Sequence, residues 1–126
     1  MKFDFAPELE SDIKRIAVSL GFDHLVIENI HCFRSYGSTS RAIARIWSLP
    51  RIWQMGLNTP PAYCLEVISE HFDRLDEVNK DKVLIHELLH IPKNFSGALL
   101  PHKQRTKRID RRTVDRWHDL LRFNRK

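Results

Sequence analysis

The chain has 126 residues and a formal net charge of +5, and hydrophobic residues make up 42% of it. This length supports one hydrophobic core, so we expect a single domain over residues 1–126. No apolar run approaches the roughly 20 residues of a membrane span, and the N-terminus lacks a signal-peptide pattern, so we expect a cytoplasmic protein without membrane partners.

The positive charge is concentrated in the C-terminal segment. Residues 101–126 contain ten Lys and Arg against three Asp, a net charge of +7, which leaves −2 for residues 1–100. A basic segment on a nearly neutral body is attracted to nucleic acids and other polyanions. The same charges also suit the solvated face of a terminal amphipathic helix, and both interpretations stay open.

The N-terminal part of the chain predicts one helix and one strand. Apolar residues recur at helical spacing over residues 7–20, and Gly21 is a typical helix stop. Residues 24–33 are rich in β-forming residues and predict a strand. The polar, glycine-containing segment 36–40 then predicts a turn or loop.

Side-chain alternation dominates the middle of the chain. Residues 42–48 alternate in a way that suits a strand, until Pro50 interrupts the pattern. We interpret 51–56 as a second short strand or an irregular stretch. Residues 58–61 contain two prolines and mark a break, after which 62–69 again alternates as a strand does.

Two helices complete the chain. The longer one is predicted over 76–91, with Asp76 as its N-cap and Pro92 as its end. After a loop over 93–102, apolar residues at helical spacing predict the last helix over 113–122. The elements together indicate an α+β fold, in which a small, mostly antiparallel sheet packs with an N-terminal, a central and a C-terminal helix.

Cys32 and Cys64 are the only cysteines in the chain. Two isolated cysteines are a poor disulfide framework and a poor thiolate zinc site, and their apolar surroundings predict buried free thiols. A disulfide between them stays open as the alternative.

The central helix carries the one pattern in which spacing and residue type together imply a reaction. His86-Glu87-Leu88-Leu89-His90 fits the HExxH metal-site motif. Positions i and i+4 share one face of a helix, so both imidazoles can reach a single metal ion. Imidazole ligands favour zinc, and Glu87 between them is placed to deprotonate a water beside the metal. The alternative is an amphipathic helix with two exposed histidines.

A catalytic zinc usually has three protein ligands, so a third ligand is expected downstream. No Glu follows Glu87, and Ser96 occupies the position where the short metzincin spacing requires histidine. Gly97 can turn the loop back towards the helix, which favours His102. The other downstream candidates are His118, Asp110, Asp115 and Asp119. We interpret His118 as a surface or partly packed residue, and the isolated histidines as structural or surface residues: His24, His31 and His71.

Several blocks of the sequence resemble the metallopeptidases of archaea and phages. They are Ala44–Trp47, Tyr63–Glu66 and, most specifically, Val83–Pro92 with Phe95–Gly97 and Pro101–His102. Members of this family are small, single-domain HExxH proteins, related to minimal zincins and similar to SprT-like proteases. The resemblance covers about residues 41–115 and implies a minimal zincin-like fold, zinc on His86, His90 and His102, and Glu87 as the general base.

The leading hypothesis is therefore a zinc metallopeptidase that acts on a peptide or protein substrate. An extended peptide can pair with an exposed strand edge, and 62–69 is the candidate edge by its order in the chain. The first alternative is a non-catalytic protein in which structural zinc holds the loop 97–102 against the helix. The second is nucleic-acid association through the basic segment 101–126, which would suit the similarity to SprT-like proteases, since those act on DNA-bound proteins.

Overall fold

The sheet combines both strand orientations. The computed structural model describes residues 1–102 and 108–125. Its strands are β1 (Lys2–Phe5), β2 (Ile30–Tyr36), β3 (Ala44–Ser48) and β4 (Tyr63–Ile68). They lie in the order β1-β2-β4-β3, with β2 and β4 parallel and the other two pairs antiparallel. One edge of the sheet is therefore β3, and the other is β1.

Five α-helices accompany the sheet within the described residues; the first two connect strands, and the other three follow β4. They are α1 (Pro7–Leu20), α2 (Arg51–Leu57), α3 (Ser69–Phe72), α4 (Glu77–Leu89) and α5 (Arg111–Asn124), with a 3-10 turn over Ile27–Asn29. None of the helices in the described ranges is both long enough and apolar enough to cross a membrane. The architecture is α+β with a small mixed sheet, which confirms the predicted fold class.

Local sequence signals set the helix ends. Pro7 stands in the first turn of α1, where its missing N–H costs little, and Gly21 ends that helix with a φ of 69°. At the start of α4, the Asp76 side chain accepts a hydrogen bond from the backbone N–H of Asn79. Asp110 caps α5 in the same way. Each of these caps satisfies a backbone group that the helix leaves unpaired.

One face of the sheet packs against α1 and α4. Tyr63, Leu65 and Val67 alternate along β4 towards this face, and each is at most 1% exposed. Apolar helix residues at helical spacing belong to the same core: Leu9, Ile13 and Ile16 of α1, and Leu84, Ile85 and Leu88 of α4. This packing holds α4, and with it the HExxH motif, against the sheet beside β3.

Most predicted elements are confirmed to within two residues, but the prediction over 24–33 is wrong in position. That strand begins only at Ile30, because the chain first forms the 3-10 turn. Residues 51–56 form α2 rather than a strand or an irregular stretch. None of the apolar residues of α2 is buried, so the sequence shows no one-sided pattern there. Both β1 and α3 are four residues long, too short for periodicity to reveal them.

The position of the predicted strand 62–69 within the sheet is also different. This strand is β4, and it lies between β2 and β3 with its backbone paired on both sides. The prediction that it offers a free edge is therefore wrong. Order along the chain does not give order across this sheet, because β4 inserts between two strands that precede it. The free edge beside α4 belongs to β3.

The two cysteines lie on opposite faces of the sheet. Cys32 is paired with Leu65 on the core side, whereas Cys64 is paired with His31 on the other side. Both thiols are free, as predicted, although Cys64 is half-buried rather than buried. Burial raises the pKa of the Cys32 thiol to about 12. The alternative of a disulfide is excluded by this placement.

Candidate metal centre

Helix α4 brings the two histidines of the motif together. His86 and His90 stand one turn apart, and their Nε2 atoms are 3.3 Å from each other. The Nδ1 atom of His90 lies 2.5 Å from the carbonyl oxygen of Leu100. Because a carbonyl only accepts hydrogen bonds, Nδ1 carries the proton, and the lone pair of Nε2 is left free on the side of His86.

A loop returns to the helix and delivers the third histidine. The hydroxyl of Tyr63 donates to the carbonyl of Ala98 (2.7 Å) and accepts from the N–H of Gly97 (2.9 Å). The N–H of Leu100 then donates to the carbonyl of His90 (2.7 Å). These bonds attach the loop to β4 at one point and to α4 at another.

Gly97 is required at the turn of this loop. Its φ is 92°, a conformation that residues with a Cβ rarely adopt. A Cβ at this position would lie 2.7 Å from the carbonyl oxygen of Leu49 and would also clash with the side chain of Gln54. The glycine that the sequence indicates as the turning point therefore has a steric reason to be there.

The three imidazoles have the spacing of a metal site. His102 Nε2 lies 3.1 Å from His86 Nε2, and the ligand atoms of all three histidines lie within 4.8 Å of one another. At Zn–N bond lengths of about 2.0–2.1 Å, a tetrahedral centre separates its nitrogen ligands by about 3.3–3.4 Å. The separations of His86 Nε2 from the Nε2 atoms of His102 and His90, 3.1 and 3.3 Å, are close to that requirement. The donor set thus fits a zinc ion.

Burial favours the neutral forms of His86 and His90. Burial, together with the smaller effect of the neighbouring His90 and His102, lowers the pKa of His86 to about 4. Burial also lowers the pKa of His90, against the opposing effect of its bond to Leu100. Neutral imidazole is the form that binds a metal, so His86 and His90 need not release protons at neutral pH to do so.

Glu87 stands beside the three histidines. Its side chain is 10% exposed, and its Oε2 atom lies 3.9 Å from Nε2 of His86. Burial raises the pKa of this carboxyl to about 7. A carboxyl with a pKa near neutrality can both accept and release a proton under ordinary conditions.

Two adjoining clefts meet at His86 and Glu87. One has a volume of about 550 Å³ and lies between β3 and the loop that ends in His102. The other, which we call the α4 cleft, has a volume of about 630 Å³ and lies between residues 41–44 and the start of α5. Ala44 lines both clefts. The first residue of β3 therefore borders both clefts, and the strand continues along the cleft beside the histidines.

Within residues 1–102 and 108–125, no strand pairs with the outer side of β3. Ile68 donates its N–H to the carbonyl of Ile43 (2.9 Å) at one end of the β3–β4 pairing. In an antiparallel pair, alternate residues direct both backbone groups to the neighbouring strand. The odd-numbered residues of β3 thus pair with β4. The backbone groups of Ala44 and Ile46 point to the open edge beside the histidines.

The other candidate ligands lie outside the histidine cluster. His118 is 3% exposed, which is more buried than predicted, and lies on the buried side of α5. The Asp candidates have other positions: Asp110 caps α5, Asp115 pairs with Lys82 at 3.0 Å, and Asp119 is exposed. The isolated histidines are exposed or half-buried, namely His24, His31 and His71. Of the downstream candidates, His102 is the one that the structure places beside His86 and His90.

Sequence reasoning missed two groups of residues around the site. The role of Tyr63 in holding the loop has no signal in the sequence, because it depends on a contact across 34 positions. Arg41 and Arg111 line the α4 cleft, whereas Arg112 does not. Chain order alone could not separate these neighbouring arginines.

Comparison with known families agrees with this geometry. A family model described as putative phage metallopeptidase matches residues 1–125. The chain belongs to this family. No curated protein and no solved structure matches the chain. Family membership implies a metal ion and a peptide or protein substrate, and the histidine cluster is compatible with zinc. The archaeal and SprT-like details of the resemblance stay predictions.

Proposed function

We propose that this protein is a zinc-dependent peptidase in which Glu87 acts as the general base. The observation that carries the proposal is the convergence of three imidazoles next to a buried carboxyl group, at the bottom of an open groove. A structural zinc is usually enclosed by four protein ligands. Only three candidate donors meet among the described residues, and the site opens to two clefts, which favours catalysis over a purely structural role.

His86, His90 and His102 would hold the metal. A zinc ion in this position would lower the pKa of a water molecule and polarise the carbonyl group of the substrate. The bond from His90 Nδ1 to Leu100 keeps the ring in one tautomer and one orientation. The protein's own contribution to metal binding is thus a fixed set of neutral nitrogen donors.

Glu87 would move the proton. One of its carboxylate oxygens accepts a proton from the water that adds to the carbonyl carbon, and the same group then delivers it to the leaving amine as the C–N bond breaks. Burial raises the pKa of this carboxyl to about 7 in the metal-free protein, and a bound zinc ion would favour the carboxylate form, which is the form that accepts the proton.

The free edge of β3 would bind the substrate backbone. An extended peptide beside β3 can exchange hydrogen bonds with Ala44 and Ile46, whose backbone groups point outwards. Pairing of this kind recognises the main chain rather than the side chains. It would place a peptide bond of the substrate across the opening above His86 and Glu87.

Replacement of Glu87 by glutamine tests the proposal. Zinc content and turnover of a mixture of quenched fluorescent peptides are measured for the wild type, Glu87→Gln and Glu77→Gln. Glu77 lies on the same helix with an 87% exposed side chain, so its variant is the control. We expect Glu87→Gln to keep its zinc and lose turnover, and Glu77→Gln to keep both. Zinc-loaded wild type that cleaves no peptide, or an active Glu87→Gln protein, would contradict the proposal.

A second candidate activity is nucleic-acid contact through α5. Several arginines of this helix are exposed, namely Arg111, Arg112, Arg116 and Arg122. Exposed cations bind phosphates with little sequence preference, and such binding weakens steeply with salt. Residues 103–107 of the basic segment lie outside the described residues. This contact is compatible with peptidase activity and does not replace it.

A further inference from the structure

The α4 cleft has apolar walls and a positively charged rim. Ile43, Leu75, Val83 and Val114 supply apolar surface, and Arg41 and Arg111 stand at the exposed rim. Asn79 and His86 both line the cleft and are seven residues apart on α4, a distance of about 10 Å along the helix axis. The cleft therefore extends about 10 Å along α4 from the candidate metal centre.

The two rim arginines are free to bind an anion. Neither Arg41 nor Arg111 forms an ion pair with any residue in the ranges 1–102 and 108–125. Lys82, which also lines the cleft, is already paired with Asp115 at 3.0 Å. The charge of the lysine is thus compensated, whereas the charge of the two arginines is not. The rim of the α4 cleft carries a net positive charge beside the site of the proposed reaction.

We propose that the α4 cleft binds a carboxylate of the peptide substrate next to the scissile bond, with Arg41 and Arg111 as the residues that determine this specificity. Guanidinium groups pair with carboxylates through two parallel hydrogen bonds. The apolar walls would contact the methylene groups of a glutamate side chain. The carboxylate has two possible sources, an acidic side chain or the C-terminus of a short peptide. This inference rests on the proposed function for the identity of its ligand.

The test measures binding, so that it does not depend on turnover. Fluorescent, Ala-based hexapeptides are capped at both ends and carry one Glu at each position in turn, with Gln counterparts. Their affinity for zinc-loaded Glu87→Gln protein is measured by fluorescence anisotropy at low salt. We expect one position at which the Glu peptide binds about fivefold to tenfold tighter than the Gln peptide, and this difference should shrink as salt is added. A version with a free C-terminal carboxylate identifies the alternative source.

Further variants assign the effect to the two arginines. Arg41→Gln and Arg111→Gln, each combined with Glu87→Gln, are expected to reduce the preference for Glu, and the variant carrying both should abolish it. Arg116→Gln is the matched control, because Arg116 is an exposed arginine of α5 that does not line the cleft. That variant should keep the full preference.

The outcomes separate this inference from the proposed function. Equal affinity of the Glu and Gln peptides at every position, together with no gain in affinity from a free C-terminal carboxylate, would overturn the inference. No detectable binding of any of the peptides would also overturn it, and so would a preference that survives removal of both arginines. A free C-terminus that binds in place of the Glu side chain supports it, with the chain end as the source. Wild-type turnover, measured separately, decides the peptidase proposal.

Discussion

Glutamine in place of Glu87 has a second, quantitative consequence for the metal-free protein. The residue is 8% exposed, and burial raises its pKa from 4.5 to about 7. Because the folded-state pKa lies above the unfolded-state value, the contribution of this group to stability is complete below pH 4.5 and is lost as the pH rises through about 7. At about 1.4 kcal/mol per pH unit, the loss amounts to about 3 kcal/mol.

The assay is urea unfolding in the presence of a chelator across this pH range. The contribution of His86 depends on pH in the opposite sense. Burial lowers the pKa of His86 to about 4, so its contribution to stability is lost as the pH falls from 6.5 to about 4. Wild type and Glu87→Gln both contain His86, so the difference between their curves isolates the carboxyl group. We expect nearly equal free energies of unfolding near pH 4.5, and a variant that is more stable by about 3 kcal/mol near pH 8.

The control for this experiment is again Glu77→Gln, which changes an exposed carboxyl on the same helix. Its curve should stay parallel to that of the wild type, because the Glu77 side chain is exposed to water in the folded protein as well as in the unfolded one. If the curves of wild type and Glu87→Gln are also parallel over the whole range, the carboxyl is not buried in the way the structure shows, and the reasoning is refuted.

Three other predictions concern the loop and the basic helix. His102→Ala should lower zinc affinity, measured by competition with a chromophoric chelator, by at least the roughly 10–100-fold that loss of an outer-shell partner causes. Tyr63→Phe leaves two backbone groups unpaired and should lower the free energy of unfolding by about 1–3 kcal/mol. It should also weaken zinc binding in the same competition assay, and unchanged zinc affinity would show that the hydroxyl does not position the loop. Arg112→Gln combined with Arg116→Gln should weaken binding to a DNA duplex and reduce the salt dependence of that binding, and a protein that binds no duplex at low salt would remove the nucleic-acid interpretation.

The candidate metal ligands could be recognised from the sequence because their signals are local. His86 and His90 share a face of α4 by helical geometry alone, and Asp76 begins that helix as predicted. His102 was reached with one further step, the turn at Gly97, and the structure shows why a glycine is needed there. The resemblance to metallopeptidases rested on the same block and is confirmed by the family model.

The surroundings of the ligands could not be predicted, because they depend on contacts between distant segments. The helical state of 51–57 is invisible in the pattern, since α2 buries none of its apolar residues. The identity of the edge strand depends on β4 inserting between β2 and β3. The single-domain interpretation of 1–126 stays a prediction.

The amino-acid sequence by itself indicated which three histidines come together and which carboxyl we propose as the general base, because motif spacing within one helix and one loop is enough to single them out. Only the tertiary structure decided how substrate could reach them. The open edge of β3, the burial that sets the pKa of Glu87, and the two arginines at the rim of the α4 cleft all arise where segments far apart in sequence pack together. Long-range packing of this kind leaves no periodic trace in the chain.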